Sequence, residues 1–116
     1  MNNYLALKKR IKKNEGFRNV AYLDSLGFST IGYGHLIKTT EKKFLKRKFS
    51  KNLLLKTFHL DFYKALKDYE KIYKKDNHKM YIKEVLIEMI FQLGIKKQKK
   101  FIKMNKYIKK EHLFMA

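Results

Sequence analysis

Four of the five glycines in this chain fall within residues 16–34, and this clustering restricts where a sheet can form. The residues between them include several strand formers, and Asp24-Ser25-Leu26-Gly27 and Gly32-Tyr33-Gly34 are turn signals. We therefore predict a small antiparallel sheet of two or three short strands within residues 17–37.

The remainder of the chain carries apolar residues at helical spacing. Helices are predicted over about Asn2–Asn14, Lys51–Lys75, Tyr81–Leu93 and Lys97–Lys110. Asn2 or Asn3 is the expected cap of the first helix, and Ser50 that of the second. The third helix is apolar nearly all round, which is typical of a buried helix. A Lys-rich connection with a helical turn is expected over residues 38–48.

This order of elements predicts an α+β fold, with a small antiparallel sheet lobe joined by a long helix to a mainly helical lobe. The length of 116 residues suits one domain, which we place over residues 1–116. The sheet lobe is expected at about 15–48, and the helical lobe at 1–14 and 50–116. A cleft between two such lobes is a natural substrate site.

The charge is strongly positive, because 29 basic residues exceed 10 acidic ones and leave a formal net charge of +19. Such a surface attracts polyanions: nucleic acid, anionic lipid or anionic cell-wall polymer. Only three of the basic residues are arginines, which argues against specific base readout. A solvated lysine surface, and membrane binding by the basic segment Lys96–Lys110, are further interpretations. The absence of cysteine excludes disulfides and thiolate metal sites.

A candidate catalytic set is Glu15, Asp24 and Thr30. Glu15 falls at the predicted end of the first helix, Asp24 in the hairpin turn and Thr30 on the next strand. Two carboxyl groups around one cleft are what glycoside hydrolysis requires, since one donates a proton and the other activates water. A hydroxyl beside them could hold the attacking water. Each residue type is also common at such a position without any catalytic role.

The residues around this set carry a family resemblance. The segments NEGFR (14–18), AYLDSLG (21–27) and STIGYGH (29–35) resemble the phage-type lysozymes of glycoside hydrolase family 24, the T-even phage endolysin type. Residues 86–94, LIEMIFQLG, are similar to the central helix of that family, and residues 50–66 to its linking helix.

The resemblance implies a lysozyme-like fold and a function. Glu15 would be the general acid, and Asp24 and Thr30 would orient and activate water, with inversion at the anomeric carbon. The substrate would be the β-1,4 bond between N-acetylmuramic acid and N-acetylglucosamine in peptidoglycan. The protein would be a muramidase that lyses the host cell.

The resemblance also assigns further residues. Gln92 would line the cleft and touch the saccharide. Glu88 stands where the family tends to place an amide facing the cleft. Tyr22 and Tyr33 could flank the sugar or be half-buried sheet aromatics. His35 and Asp61 would form a structural ion pair between the lobes.

The expected partners are peptidoglycan and the anionic cell envelope, with no specific nucleic acid, no cofactor and no metal, and the protein is expected to be a monomer. Three histidines are predicted to face solvent without metal-site spacing: His59, His78 and His112. We predict that the N-terminal residues do not act as a signal peptide, because lysines interrupt their apolar residues. The family therefore implies that the protein waits in the host cytoplasm until a holin releases it.

The chain is short for this family, which usually continues with helices that close the helical lobe. A truncated, inactive lysozyme-like remnant is therefore one alternative function. A cationic protein that binds cell wall or nucleic acid is another.

Overall fold

The computed structural model describes residues 4–74 and 76–93. The elements are helix α1 (Leu5–Glu15), strands β1 (Arg18–Leu23), β2 (Ser29–Gly32) and β3 (His35–Leu36), a 3-10 helix (Thr39–Leu45), and helices α2 (Lys51–Ile72) and α3 (Met80–Leu93). This is the predicted α+β class, and the described residues contain a small antiparallel sheet that lies between the first helix and the long helix in sequence. The predicted helix over Lys97–Lys110 lies outside the described residues.

The chain divides into two compact units, residues 1–64 and residues 65–116, and the boundary falls within α2. The first unit contains α1, the sheet, the 3-10 helix and the first part of α2. The second contains the end of α2 and α3 among its described residues. None of the described helices is long and apolar enough to cross a membrane.

The sheet has the strand order β1-β2-β3, and both pairs are antiparallel. Arg18 pairs with Gly32, and Tyr22 pairs with Thr30. Between these two pairs, β1 contains more residues than β2. This irregularity bends β1, because extra residues on one strand cannot join the ladder.

Two glycines in the β2–β3 turn allow close approaches that other residues would prevent. Gly32 and Gly34 have φ angles of 67° and 79°, a region that L side chains rarely adopt. A Cβ on Gly32 would lie 3.2 Å from the Cβ of Leu54. The bare glycine therefore lets β2 lie directly on the first turns of α2.

Apolar side chains from α1, β2, the 3-10 helix and α2, together with Phe49, form the core of the first unit. They include Leu7, Ile11, Ile31, Phe44, Phe49, Leu54, Phe58 and Phe62. One cluster joins Ile31, Phe44, Phe49 and Leu54, with the Phe44 and Phe49 rings 4.9 Å apart. Burial of this kind is worth about 1.5–3 kcal/mol per large side chain, so the cluster fixes the sheet to α2.

The helix ends agree with the sequence in part. Ser50 caps α2 as predicted, because its Oγ accepts the N–H of Leu53 at 3.2 Å. The regular helix ends at Ile72, three residues before the predicted end. The expected caps of α1, Asn2 and Asn3, lie outside the described residues, and the N-cap of α1 is Tyr4, which makes no side-chain capping bond.

The prediction that α3 is buried nearly all round is wrong for its first half. Ile87 and Ile90 are buried, whereas Val85 is 50% exposed and Tyr81 is 65% exposed. An apolar residue is buried only where another element packs on its side of the helix. Composition alone does not reveal which sides of α3 are covered.

The solvent-facing prediction for His78 is also wrong. His78 is half-buried, and its Nδ1 is hydrogen-bonded to the hydroxyl of buried Tyr69 at 2.7 Å. The Tyr73 ring lies 5.1 Å from the His78 ring, edge to face. His59 is exposed as predicted, and His112 lies outside the described residues.

Candidate active site

Glu15 is held at the junction of α1 and the sheet. It is the last residue of α1, and the N–H of Gly16 closes the helix on the carbonyl of Lys12 at 3.0 Å. A Cβ on Gly34 would lie only 2.5 Å from Glu15 Oε2. The carboxylate therefore rests against the bare backbone of the β2–β3 turn, half-buried but not enclosed.

Asp24 is fixed by the turn between β1 and β2. Its Oδ1 accepts the backbone N–H groups of Leu26 at 2.9 Å and Phe28 at 2.8 Å. The Gly27 N–H also bonds to the Asp24 carbonyl at 2.9 Å. Since both side-chain bonds go to the same oxygen, the carboxylate is oriented with Oδ2 directed away from them.

Thr30 lies on β2 and is 4% exposed. Its hydroxyl donates to the carbonyl of Phe28 at 2.9 Å. The hydroxyl proton is therefore engaged by the protein, and Thr30 can meet a water or a substrate hydroxyl only as an acceptor. The Cα of Thr30 pairs with that of Tyr22 across the sheet.

Tyr22 lies within the electrostatic influence of both candidate carboxylates. Burial raises the pKa of its phenol, and the negative charges of Glu15 and Asp24 raise it further, while Arg18 acts in the opposite direction. The Arg18 guanidinium lies over the ring, 4.8 Å from its centre. Glu15 and Asp24 thus act electrostatically on one phenol, in the same unit as Thr30. The sequence predicts for Tyr22 a sugar-flanking or half-buried sheet position, and it does not predict the influence of both carboxylates on this phenol.

His35 contacts two carboxylates. Its Nδ1 lies 2.7 Å from Asp61 Oδ2, and its Nε2 lies 3.1 and 3.2 Å from the two carboxylate oxygens of Glu41. The sequence pairs His35 with Asp61 and misses Glu41. The available signal is that Glu41 is the third residue of the 3-10 helix, where it accepts the Lys38 N–H at 3.0 Å.

In this cluster the pKa of His35 is raised and the pKa of Glu41 is lowered. Burial of the His35 ring opposes protonation, but the hydrogen bond and charge of Asp61, together with Glu41, outweigh it and raise the pKa of His35. Burial also opposes ionisation of Glu41, but the Lys38 N–H and the charge of His35 outweigh it and lower the pKa of Glu41. Both shifts favour a charged imidazolium between carboxylates.

The remaining candidates lie in different units. Tyr33 is half-buried in the first unit, and its ring contacts Phe17 at 4.9 Å and Phe58 at 5.6 Å between ring centres. Gln92 is exposed and Glu88 half-buried, both on α3 of the second unit. Glu15 and Asp24 both influence Tyr22, which pairs with Thr30 across the sheet, and the roles of all six residues stay predictions.

The fold is of the lysozyme-like α+β class, with a carboxylate at the end of the first helix beside a small sheet. The family model described as phage lysozyme matches residues 12–113, which is most of the chain. The chain belongs to the phage lysozyme family. A comparison with curated proteins gave no match.

Family membership supports a general function. Phage lysozymes are endolysins that hydrolyse peptidoglycan, and the matched residues include the whole candidate set of Glu15, Asp24 and Thr30. The family therefore places this chain among the proteins that act on the bacterial cell wall.

Proposed function

We propose that this protein is a muramidase that hydrolyses the β-1,4 bond between N-acetylmuramic acid and N-acetylglucosamine in peptidoglycan. The observation that carries the proposal is the common influence of Glu15 and Asp24 on Tyr22, beside Thr30, in a chain of the phage lysozyme family. Two carboxyl groups at one site can divide the roles of acid and base.

Glu15 is the proposed general acid. In the reaction the C–O bond to the leaving sugar breaks, and the proton of Glu15 goes to the departing oxygen. A Cβ on Gly34 would lie 2.5 Å from Glu15 Oε2, so the bare glycine leaves the space in which this carboxyl group stands. A fixed position is valuable because misplacement by about 1 Å can cost roughly 100-fold in rate.

Asp24 and Thr30 are the proposed water-handling pair. The water oxygen attacks the anomeric carbon from the face opposite Glu15, and its proton goes to Asp24. Oδ1 of Asp24 is occupied by two backbone N–H groups, so Oδ2 is the oxygen that would take this proton. Thr30 accepts the other hydrogen of the water and orients it. The result is inversion at the anomeric carbon.

The other assigned residues take binding and structural roles in the proposal. Gln92 is proposed to hydrogen-bond the saccharide, and Glu88 and Tyr33 are proposed as further substrate contacts. His35 and Asp61 hold the fold of the first unit rather than touching substrate.

The proposed setting is lysis of the bacterial host by a monomer. The excess of lysine brings the protein to the anionic envelope, because long-range attraction raises the rate of encounter. A holin would release it from the host cytoplasm to the wall.

A clearing assay tests this function. Wild type, Glu15→Gln and Glu70→Gln proteins would be added to purified peptidoglycan after circular dichroism has shown that all three are folded. Glu70 is an exposed acid of the second unit and serves as the matched control. We expect Glu15→Gln to clear at least about 100-fold more slowly, the usual contribution of a general acid, and Glu70→Gln to match wild type.

Two results would contradict the proposal. Clearing by Glu15→Gln at the wild-type rate would remove Glu15 from the chemistry. Binding of folded wild type to peptidoglycan without any clearing would favour the inactive, wall-binding remnant instead.

A further inference from the structure

An exposed aromatic pair adjoins the proposed acid. Phe17 follows Glu15 by two residues and is 36% exposed, and its ring lies 4.9 Å from that of half-buried Tyr33. Tyr33 directly precedes Gly34, where a Cβ would lie 2.5 Å from Glu15 Oε2. Phe17 and Tyr33 therefore each lie within two residues of the backbone that surrounds the Glu15 side chain.

Two lysines cover this pair from different helices. The Lys51 ammonium lies 5.9 Å from the centre of the Phe17 ring, and the Lys12 ammonium 6.0 Å from the centre of the Tyr33 ring. Lys12 comes from the last turn of α1, and Lys51 is the first residue of α2. Three segments distant in sequence thus converge on one small surface.

The positive potential extends along α1 from this surface. Lys8 and Lys12 are one helical turn apart, and both lower the pKa of exposed His59, after the burial of its ring. Lys12 also lies 5.6 Å from the Phe58 ring. A ligand that approaches the aromatic pair therefore meets several ammonium groups.

Stability alone does not explain these residue types. An exposed cation–π contact contributes only about 0.5–1 kcal/mol, and the ring contact with Tyr33 still leaves Phe17 36% exposed. An aromatic face beside ammonium groups suits a ligand with a flat apolar face and a negative charge. A saccharide that carries a carboxylate has both.

We propose that Phe17, Tyr33, Lys12 and Lys51 form a binding subsite for the carboxylate-bearing part of the glycan strand. The sugar ring packs on the aromatic pair, and the carboxylate of its side group or attached peptide pairs with Lys51 and Lys12. This inference rests on the proposed function, because it places the charged part of the same substrate next to the same acid.

The test measures binding without cleavage. Lys51→Gln, Lys51→Arg and Lys56→Gln would each be made in the Glu15→Gln protein, and binding to insoluble peptidoglycan measured by co-sedimentation. Lys56 is an exposed lysine of the same helix and is the matched control. Each protein is also tested on peptidoglycan whose carboxylates have been amidated.

We expect Lys51→Gln to bind about two- to five-fold more weakly than Lys56→Gln, as for loss of an exposed ion pair. Lys51→Arg should restore binding, and amidation should abolish the difference. Phe17→Ala should weaken binding to both native and amidated material, since its contribution is apolar.

Equal binding by Lys51→Gln and Lys56→Gln on native peptidoglycan would overturn the inference, as would absence of binding by the parent Glu15→Gln protein. Failure of the proposed function is a separate result, because it appears as absence of clearing by wild type whatever the binding shows.

Discussion

Replacing His35 with asparagine is expected to lower the free energy of unfolding by about 2 kcal/mol at about pH 5.5. His35 is 7% exposed, while its partners Asp61 and Glu41 keep roughly a quarter of their side-chain surface exposed. The expected loss therefore lies between that of an exposed ion pair, about 0.2–1 kcal/mol, and that of a fully buried one, about 3–5 kcal/mol. At about 4 °C per kcal/mol for a domain of this size, the melting temperature falls by about 8 °C.

The effect has a defined pH dependence. The pKa of His35 is raised above its ordinary 6.5, so its stabilising charge is fully present below that pH and is lost as the pH rises through the folded-state value. The pKa of Glu41 is lowered below its ordinary 4.5, so its contribution is present above that pH and is lost on acidification. The difference between wild type and variant should therefore be greatest between these two values.

Thermal unfolding followed by circular dichroism, at several pH values from about 4 to 8, measures this difference. Glu70→Gln is the control, because its partner Lys67 is 3.9 Å away and both side chains are 55% exposed. The control should change stability by less than about 0.5 kcal/mol. A pH-independent difference for His35→Asn would refute the reasoning, and a stable but inactive variant would show that His35 serves the chemistry instead.

Two further predictions concern local geometry. Gly34→Ala should lower the clearing rate roughly 100-fold, because the new Cβ would lie 2.5 Å from Glu15 Oε2. Gly27→Ala is the control: Gly27 has a φ of 86° but open space around it, so this change should strain the backbone without the loss of activity. Equal activities of the two variants in the clearing assay would contradict this prediction. Ser50→Ala should lower the free energy of unfolding by about 1 kcal/mol, because the cap of α2 is lost. Thermal unfolding measures this change, and an unchanged melting temperature would show that water replaces the cap.

Much of the first unit could be predicted from sequence because its signals are local. Glycine-containing turns define the sheet, and Ser50 marks the start of the long helix within one residue. The spacing of Glu15, Asp24 and Thr30 reflects the helix end, turn and strand on which they lie. Such features depend on a few neighbouring residues, so the sequence carries them directly.

What the sequence does not show depends on packing between distant segments. The capping position of Glu41 depends on nearby residues, but its contact with His35 depends on how the 3-10 helix packs against the strand that carries His35. His78 resembles a surface residue until Tyr69, nine positions earlier, is placed against it. The exposure of Val85 likewise depends on which sides of α3 are covered.

The identity of the bond that is cut tests the central claim most directly. Peptidoglycan digested by wild type would be reduced with borohydride, hydrolysed to its sugars and examined by mass spectrometry. The account predicts that N-acetylmuramic acid alone is converted to its alcohol, and that Glu15→Gln produces none. Reduced N-acetylglucosamine, or new amino groups without a new reducing end, would contradict it.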